Sequence, residues 1–574
     1  MLRIVKSLPA GAVAVAIIFL LIQCICALYL PYLTADIVDN GVINGDTPYI
    51  LETGIWMIVL SIVSLTGAVI NTLISSRISY KLGGELREEI YRKVLQFSKN
   101  EFDKFGPSSL ITRNTNDVTQ VQNLVEIGLK FLIVAPIYLI GSIFFTYLLS
   151  PLLSLIFIAI IPFIAAASYV IYRFASPLYE KIQRLLDNLN SYYREGFIGA
   201  RVIRAFNRED HEYEKFRSAN TAYTETSIKA GTIMSLFVPL VTMVVSLATV
   251  LIAWFGGMGV AAGTMEIGTI MAAISYSAQV LLGFALLTSV ILAIPRGQIS
   301  ANRIHEVLDM PLSIKDPDNA ISSQDQKPEL TFENVDFRYP GAEKKTLENI
   351  NFTVNAGQSL AIIGSTGDGK SSLVNLISRL YDVDKGCIKI NGTDVRCMEQ
   401  KRVHDLVSLS PQKSTLFMGT IRSNMLLGKP DATDDEIWKA LSIAHATEFI
   451  NTLDRGLDSR VERNGGNFSG GQKQRLCIAR ALLKDADIYV FDDSFSALDF
   501  KTDAKVRSDM VHKLKTAITV IVAQRISTII DADIIAVLDK GKIVGLGNHD
   551  ELKKSNRVYQ EIINSQVYKQ EAAA

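Results

Sequence analysis

The chain has 574 residues, too many for one hydrophobic core and enough for three or four units at roughly 150 residues each. Its 58 Lys and Arg balance 58 Asp and Glu, so no basic excess argues for nucleic acid or for a polybasic membrane anchor. Hydrophobic residues make up 49% of it. They are distributed unevenly: about the first 300 residues carry long uncharged runs, and the remainder has the composition of an ordinary α/β protein. A membrane part followed by a soluble part is expected. Cys24, Cys26, Cys387, Cys397 and Cys477 have no repeated ligand spacing and read as small core residues, not as a metal or disulfide framework.

Arg3 and Lys6 before an apolar stretch imitate a secretory signal, but the stretch is long enough to span a membrane and others follow, so it reads as a retained helix. Six segments are long and apolar enough to span, at about 10–33, 52–76, 127–149, 151–173, 230–256 and 267–294. The connection after the first carries Asp36, Asp39 and Asp46 and no Lys or Arg. The second is basic, with Arg77, Lys81, Arg87, Arg92 and Lys93, and so is the fourth, with Lys181, Arg184, Arg194, Arg201, Arg204 and Arg208. The positive-inside rule places these two loops and both termini in the cytoplasm of a multi-pass cell-membrane protein.

Both basic loops keep a helical pattern, so spans two to five should continue as helices into the cytoplasm and turn back near Gly106-Pro107-Ser108 and Gly199-Ala200. Pro31, Pro136, Pro162 and Pro239 should kink their spans, with neighbouring helices satisfying the freed carbonyls. Few ionisable residues lie in the spans, which points to an apolar, aromatic cavity suited to small hydrophobic or amphipathic substrates. Lys130 and Glu126 read as residues snorkelling to the interface, and Asp36 and Asp39 as solvated residues of the outer loop or an outer gate.

The sequence divides into a membrane domain at 1–308, a polar linker at 309–328, a soluble domain at 329–565 and a tail at 566–574. In the soluble domain, strand-like runs at 330–337, 359–363, 407–410, 488–491, 517–522 and 534–538 alternate with helical ones, the pattern of a largely parallel sheet. The run ending at Ile363 leads into Gly364-Ser365-Thr366-Gly367-Asp368-Gly369-Lys370-Ser371-Ser372, a P-loop between a strand and a helix. Its glycines let backbone N–H groups wrap phosphate oxygens, Lys370 neutralises charge and Ser371 ligates Mg²⁺. Asp492 ends the buried run 488–491 and would be the carboxylate that supports that Mg²⁺ from just outside its direct ligands.

The order P-loop, Gln412, Asn467-Phe468-Ser469-Gly470-Gly471-Gln472, Asp492-Asp493 and Ser496-Ala497-Leu498-Asp499 resembles an ATP-binding cassette. Six spans fused to such a cassette are similar to half of an ABC exporter over nearly the whole chain. The resemblance implies an α-helical six-span membrane domain with an α/β P-loop domain, and ATP with Mg²⁺ as cofactors. It implies that Tyr339 stacks on adenine and that Gln412 senses the γ-phosphate and Mg²⁺. It further implies that Ser469, Gly470 and Gly471 cap ATP held by an opposite subunit. The cytoplasmic turns near residues 106 and 200 would be the helices that touch the cassettes.

Two positions depart from the family pattern. Asp493 stands where the family has the Glu that activates the lytic water, and Gln524 where it has a switch His. Aspartate is one methylene shorter, and glutamine hydrogen-bonds but does not become cationic near neutral pH. A chain that impairs its own P-loop site yet keeps an intact signature matches the degenerate half of a bacterial heterodimeric multidrug exporter. Its partner would be a homologous half-transporter with the catalytic Glu and the switch His. The alternatives are a slow homodimer with Asp493 as a weaker base, a lipid or peptide translocator, and an ATP-gated membrane sensor.

Overall fold

The computed structural model describes Arg3, Lys6, residues 8–321 and residues 327–571; positions 322–326 of the linker and the terminal alanines fall outside the described residues. The chain forms two compact units. One comprises Met1–Leu95 and Ser108–Met310, and the other Gln96–Pro107 and Pro311–Ala574. The turn Gln96–Pro107 after the second span therefore belongs with the cassette, although it is covalently continuous with the spans.

Among the described residues six helical stretches are apolar enough to cross a membrane: Ala10–Val42, Thr47–Leu95, Pro107–Leu149, Pro151–Ile198, Glu209–Ala261 and Ile267–Leu308. The helix Thr47–Leu95 has 49 residues. At 1.5 Å per residue it is about 74 Å long, more than twice a hydrocarbon core of about 30 Å, so it extends well beyond the bilayer. Close helix approach uses small residues: a Cβ on Gly67 would lie 2.8 Å from the Phe19 carbonyl. One turn on, the buried Asn71 Nδ2 donates to the Ala16 carbonyl at 2.9 Å.

Pro31 sits inside Ala10–Asp36 and has no N–H to give the carbonyl four residues earlier, that of Ala27. Gln279 Nε2, from the sixth span, donates to that carbonyl at 2.9 Å, and Tyr276 Oη donates to the adjacent Leu28 carbonyl at 2.8 Å. Pro162 likewise lies within a continuous helix, Pro151–Ile198. Pro136 and Pro239 differ from the expected kinks. Each stands in the first turn of a helix that restarts, Val134–Leu149 and Phe237–Ala261, where a missing N–H costs nothing.

Glu126, Lys130, Asp36 and Asp39 are partnered. Glu126 accepts from Lys130 Nζ at 2.6 Å and from Ser76 Oγ at 3.1 Å, an ion pair with a hydroxyl from the second span. Asp39 Oδ1 accepts from Gly268 N at 2.6 Å in the first turn of Ile267–Leu308, and Asp36 Oδ2 accepts from Tyr49 Oη at 2.6 Å. Asp39 thus serves as an anionic cap on the sixth span.

The second unit opens with strands β1 (Glu329–Phe337), β2 (Leu347–Asn355) and β3 (Ser359–Gly364). It continues with β4 (Lys385–Ile390), β5 (Thr393–Asp394) and β6 (Val407–Ser410), then the two-stranded ribbon β7 (Gly419–Thr420) with β8 (Arg460–Val461). The last strands are β9 (Ile488–Asp492), β10 (Ile518–Val522), β11 (Ile534–Asp539) and β12 (Lys542–Gly547). The central sheet runs β12-β11-β3-β10-β9-β6, with β11, β3, β10, β9 and β6 parallel and β12 antiparallel on the edge.

Alternation along these strands explains why their sequences are continuously apolar. Leu360 and Ile362 face one core and Ala361 and Ile363 the other; Ile488 and Val490 likewise oppose Tyr489 and Phe491. Parallel register then aligns the carboxyl ends: Asp492 pairs with Val522, Val522 with Ile362, and Phe491 with Ser410. The residues following four strands converge on one edge, where ligands bind in open parallel sheets.

Candidate nucleotide site

β3 ends at Gly364, and the loop to Lys370 closes over the strand end. Gly369 has φ +98°, and a Cβ there would lie 2.7 Å from the Leu347 side chain and 3.0 Å from the Thr346 carbonyl, so only glycine fits. The helix Lys370–Ile377 starts at that residue without a side-chain cap, leaving its first N–H groups free for an anion. Lys370 Nζ donates to the carbonyls of Gly364 at 2.8 Å and Ser365 at 2.7 Å. Burial holds its ammonium below the usual lysine value, against the pull of Asp368, Asp493 and Asp492. Ser365, Thr366 and Gly367 form the exposed rim of the loop.

Asp368 points away from that rim. Its Oδ2 accepts from Ser365 N at 2.5 Å and its Oδ1 from Lys540 N at 3.1 Å, so it braces the loop against the turn after β11. Tyr339, just after β1, shares a hydrogen bond of 2.8 Å with the buried Ser372 hydroxyl. Its ring packs edge-on against Phe337 and Tyr381, with centroids 4.9 and 5.3 Å away.

Asp492 is 7% exposed at the end of β9. Burial raises its carboxyl above the usual range and Asp493 adds to this, while the Ser371 hydroxyl and Lys370 oppose it. A buried carboxylate beside a hydroxyl fits a hard divalent cation. Among the described residues no group of three or more His, Cys, Asp or Glu could hold a metal. Mg²⁺ here would therefore take most of its ligands from phosphate and water, as this ion commonly does.

Asp493 adopts φ +50°, in the left-handed region where Asp is among the better-tolerated side chains. Its N–H donates to the Val522 carbonyl at 3.0 Å, which fixes the turn off the strand. Burial raises its carboxyl, with a hydrogen bond from Gln412 and the charges of Lys370 and Arg525 opposing. Gln524 Nε2 donates to Asp493 Oδ2 at 3.2 Å. Residues from four strand ends, Lys370, Gln412, Asp492 with Asp493, and Gln524, are thus brought together.

The signature lies elsewhere on the cassette. Ser469 caps the helix Gly470–Leu483 in a reciprocal box with Gln472: Gln472 N donates to Ser469 Oγ at 3.3 Å and Ser469 N to Gln472 Oε1 at 2.9 Å. Phe468 is buried against Phe449, so the preceding turn is anchored while Ser469 and Gly470 remain exposed. A residue that motif reading did not single out joins this helix to the segment after Asp493. The buried Gln474 accepts from Ala497 N at 2.9 Å and donates to Ser496 Oγ at 3.2 Å, while Ser496 Oγ also donates to the Asp493 carbonyl at 2.9 Å. Leu498 is buried, and Asp499 caps Phe500–Lys513 by accepting from Thr502 N at 3.0 Å.

Comparison with known proteins agrees with this geometry. Residues 13–284 match the ABC transporter transmembrane region, and residues 347–496 match the ABC transporter cassette. An uncharacterized ABC transporter ATP-binding protein of Mycobacterium tuberculosis is 39% identical over 96% of both chains. An ATP-dependent lipid A-core flippase of Desulfotalea psychrophila is 33% identical over 93% of both. The solved structure of a bacterial Atm1-family ABC exporter with ATP bound superposes with a TM-score of 0.81 at 25% identity, covering 97% of this chain and 98% of that one. The chain belongs to the ABC transporter family and has the exporter architecture of a six-helix membrane domain followed by an ATP-binding cassette.

Proposed function

We propose that the chain is one subunit of a heterodimeric ATP-driven exporter that moves hydrophobic or amphipathic compounds from the cytoplasm or inner leaflet. Its own nucleotide site is degenerate, and its signature completes the hydrolytic site of a partner that carries a catalytic Glu and a switch His. The observation that carries this reading is the Asp493–Gln524 pair. The short carboxylate spends one oxygen on an amide N–H. Displacing a base by about 1 Å costs on the order of 100-fold in rate.

In this site Lys370 exchanges loop carbonyls for phosphate oxygens, Ser371 and Asp492 hold the cation side, and Tyr339 presents its ring to the base. Mg²⁺, when bound beside Ser371 and Asp492, would supply neutralisation of the phosphate charge. Gln524 then donates to the terminal phosphate, and Asp493 orients the water more than it activates it. The exposed Ser469 and Gly470 at a helix N-terminus suit a phosphate delivered by another subunit. A second subunit also accounts for the tip of the second cytoplasmic loop, where Phe197, Ile198 and Phe206 are 77%, 78% and 73% exposed.

Exposed apolar side chains along the spans, such as Leu247, Val250 and Trp254, support a hydrophobic cargo without naming it. The likeness to lipid A-core flippases favours a second reading, translocation of a lipid. Co-expression with candidate half-transporters, followed by ATP-dependent uptake into inside-out vesicles, separates the readings. The exporter account expects a one-to-one complex that accumulates hydrophobic dyes; accumulation of fluorescent lipid alone supports the flippase. Normal nucleotide binding with neither uptake would sink both.

A further inference from the structure

From the carboxyl-terminal helix Arg557–Glu571, the Gln566 side chain bonds to the loop that leaves β10. The helix is fixed at its start: Tyr559 is fully buried, its hydroxyl lies 2.8 Å from His549 Nδ1, and its N–H donates to Asn556 Oδ1 at 2.8 Å. Ile562 and Ile563 pack on the cassette core one turn later. Gln566 stands seven residues after Tyr559, on the same helix face. Its Nε2 donates to the Gln524 carbonyl at 2.7 Å, and its Oε1 accepts from Ile526 N at 2.9 Å.

These two bonds bracket Arg525 and copy the pairing that a neighbouring β-strand would give. The loop leaving β10 has no such strand. It borders a cavity of about 430 Å³ lined by Asp493, Ser496, Phe500, Gln524 and Arg525. Arg525 adds one tether, from Nη2 to the Ser496 carbonyl at 3.2 Å. Near neutral pH a glutamate of the same length is ionised and only accepts, so it cannot reproduce both bonds of the carboxamide clasp.

We propose that Gln566 is a positioning residue for the nucleotide site: by clasping the backbone on both sides of Arg525, it sets where Gln524 stands relative to Asp493 and the terminal phosphate. The carboxyl-terminal helix thereby becomes part of the machinery that keeps nucleotide enclosed. This inference rests on the reading of Gln524 as the switch position.

The test uses the full-length, assembled transporter in nanodiscs and compares Gln566→Ala, Gln566→Glu and Gln524→Ala. Hydrogen exchange at the Ile526 amide reads the clasp directly. Gln566→Ala should speed it by about 3- to 10-fold, the factor that one hydrogen bond is worth, with β3 and β9 unchanged. Gln566→Glu keeps the acceptor and should leave Ile526 close to the parent value. Release of MgATP should quicken by about 3- to 10-fold in both Gln566 variants and in Gln524→Ala. Unchanged exchange at Ile526, or a rise spread over the whole cassette, overturns the clasp. If Gln524→Ala quickens release and Gln566→Ala does not, the positioning role falls while the reading of the site stands. If Gln566→Ala quickens release and Gln524→Ala does not, the reading of Gln524 falls and the clasp stands.

Discussion

The carboxylate of Glu101 is fully buried and accepts hydrogen bonds from both the amide and the hydroxyl of Ser313, 212 positions further along the chain. The amide bond is 3.0 Å long. The other oxygen accepts from Ser98 N at 2.7 Å and Ser98 Oγ at 2.6 Å, completing the cap of the short helix Lys99–Phe105. Two segments that leave the membrane domain at different places are thus joined: the turn after the second span and the linker after the sixth. Both are held to the cassette, with Tyr381 Oη donating to Asp103 Oδ2 at 2.8 Å and Arg379 Nη2 donating to the Lys315 carbonyl at 3.4 Å.

Replacing Glu101 by Ala leaves two backbone N–H groups without their acceptor, at a cost of about 1–3 kcal/mol each where they stay buried. Glu101→Ala should lower the thermal midpoint of the purified transporter and reduce transport per ATP hydrolysed, and Glu101→Gln should do so less. Equal transport-to-ATPase ratios in parent and Glu101→Ala would contradict a joining role.

Burial raises the Glu101 carboxyl, but the bonds from Ser313 and Ser98 outweigh it and hold the group below its ordinary value of 4.5. A carboxyl whose folded pKa is depressed contributes stability that is fully present above its unfolded value and is lost as pH falls through the folded one. The contribution of Glu101 should therefore be unchanged between pH 7 and pH 5 and fade only below about 4.5. Denaturation of parent and Glu101→Gln across this range measures it; a difference that already shrinks between pH 7 and 6 would contradict the assignment.

The Gln279 amide repairs the Ala27 carbonyl that Pro31 leaves free. Gln279→Ala should destabilise the membrane domain by about 0.6–2 kcal/mol. The loss should shrink when Pro31→Ala restores the helix N–H. A double-mutant cycle read by unfolding in detergent shows whether the two positions couple; additive effects would mean that they do not.

Asp493 and Gln524 touch, so restoring them should not be additive. In the purified chain alone, Asp493→Glu with Gln524→His should raise ATP hydrolysis by about 10- to 100-fold, and each single change by much less. A Glu pays somewhat more than an Asp for φ +50° at this position, which limits the gain. Steady-state hydrolysis of the four proteins decides it, and a double variant no faster than the parent would show that the pair does not set the rate.

Much of this site was legible in the sequence because its signals are local. The four apolar residues before Asp492, the glycines before Lys370 and the Ser469–Gln472 box each specify their own turn or strand within a few residues. The parallel sheet then makes neighbours of strand ends that lie far apart in the chain, so the motif order sufficed to gather Gln412, Asp492 and Gln524. Other contacts left no such trace. Glu101 finds Ser313, Gln279 finds Ala27, Gln474 finds Ala497 and Gln566 finds Ile526 across distances with no periodicity. Asp368 sits inside a phosphate motif yet serves as a brace, a role that depends on a turn 172 positions away. The helix through Glu571 likewise crosses the place, near residue 566, where composition alone reads as tail.

The proposed heterodimer stands or falls on whether this chain retains ATP at its own site while hydrolysis runs mainly at the partner's. Turnover in the assembled pair, measured once with Asp493→Ala and once with the partner's catalytic glutamate replaced, tests this most directly. The account predicts that Asp493→Ala keeps most of the substrate-stimulated hydrolysis while the partner change abolishes it. Complete loss with Asp493→Ala, matching the partner change, would contradict it.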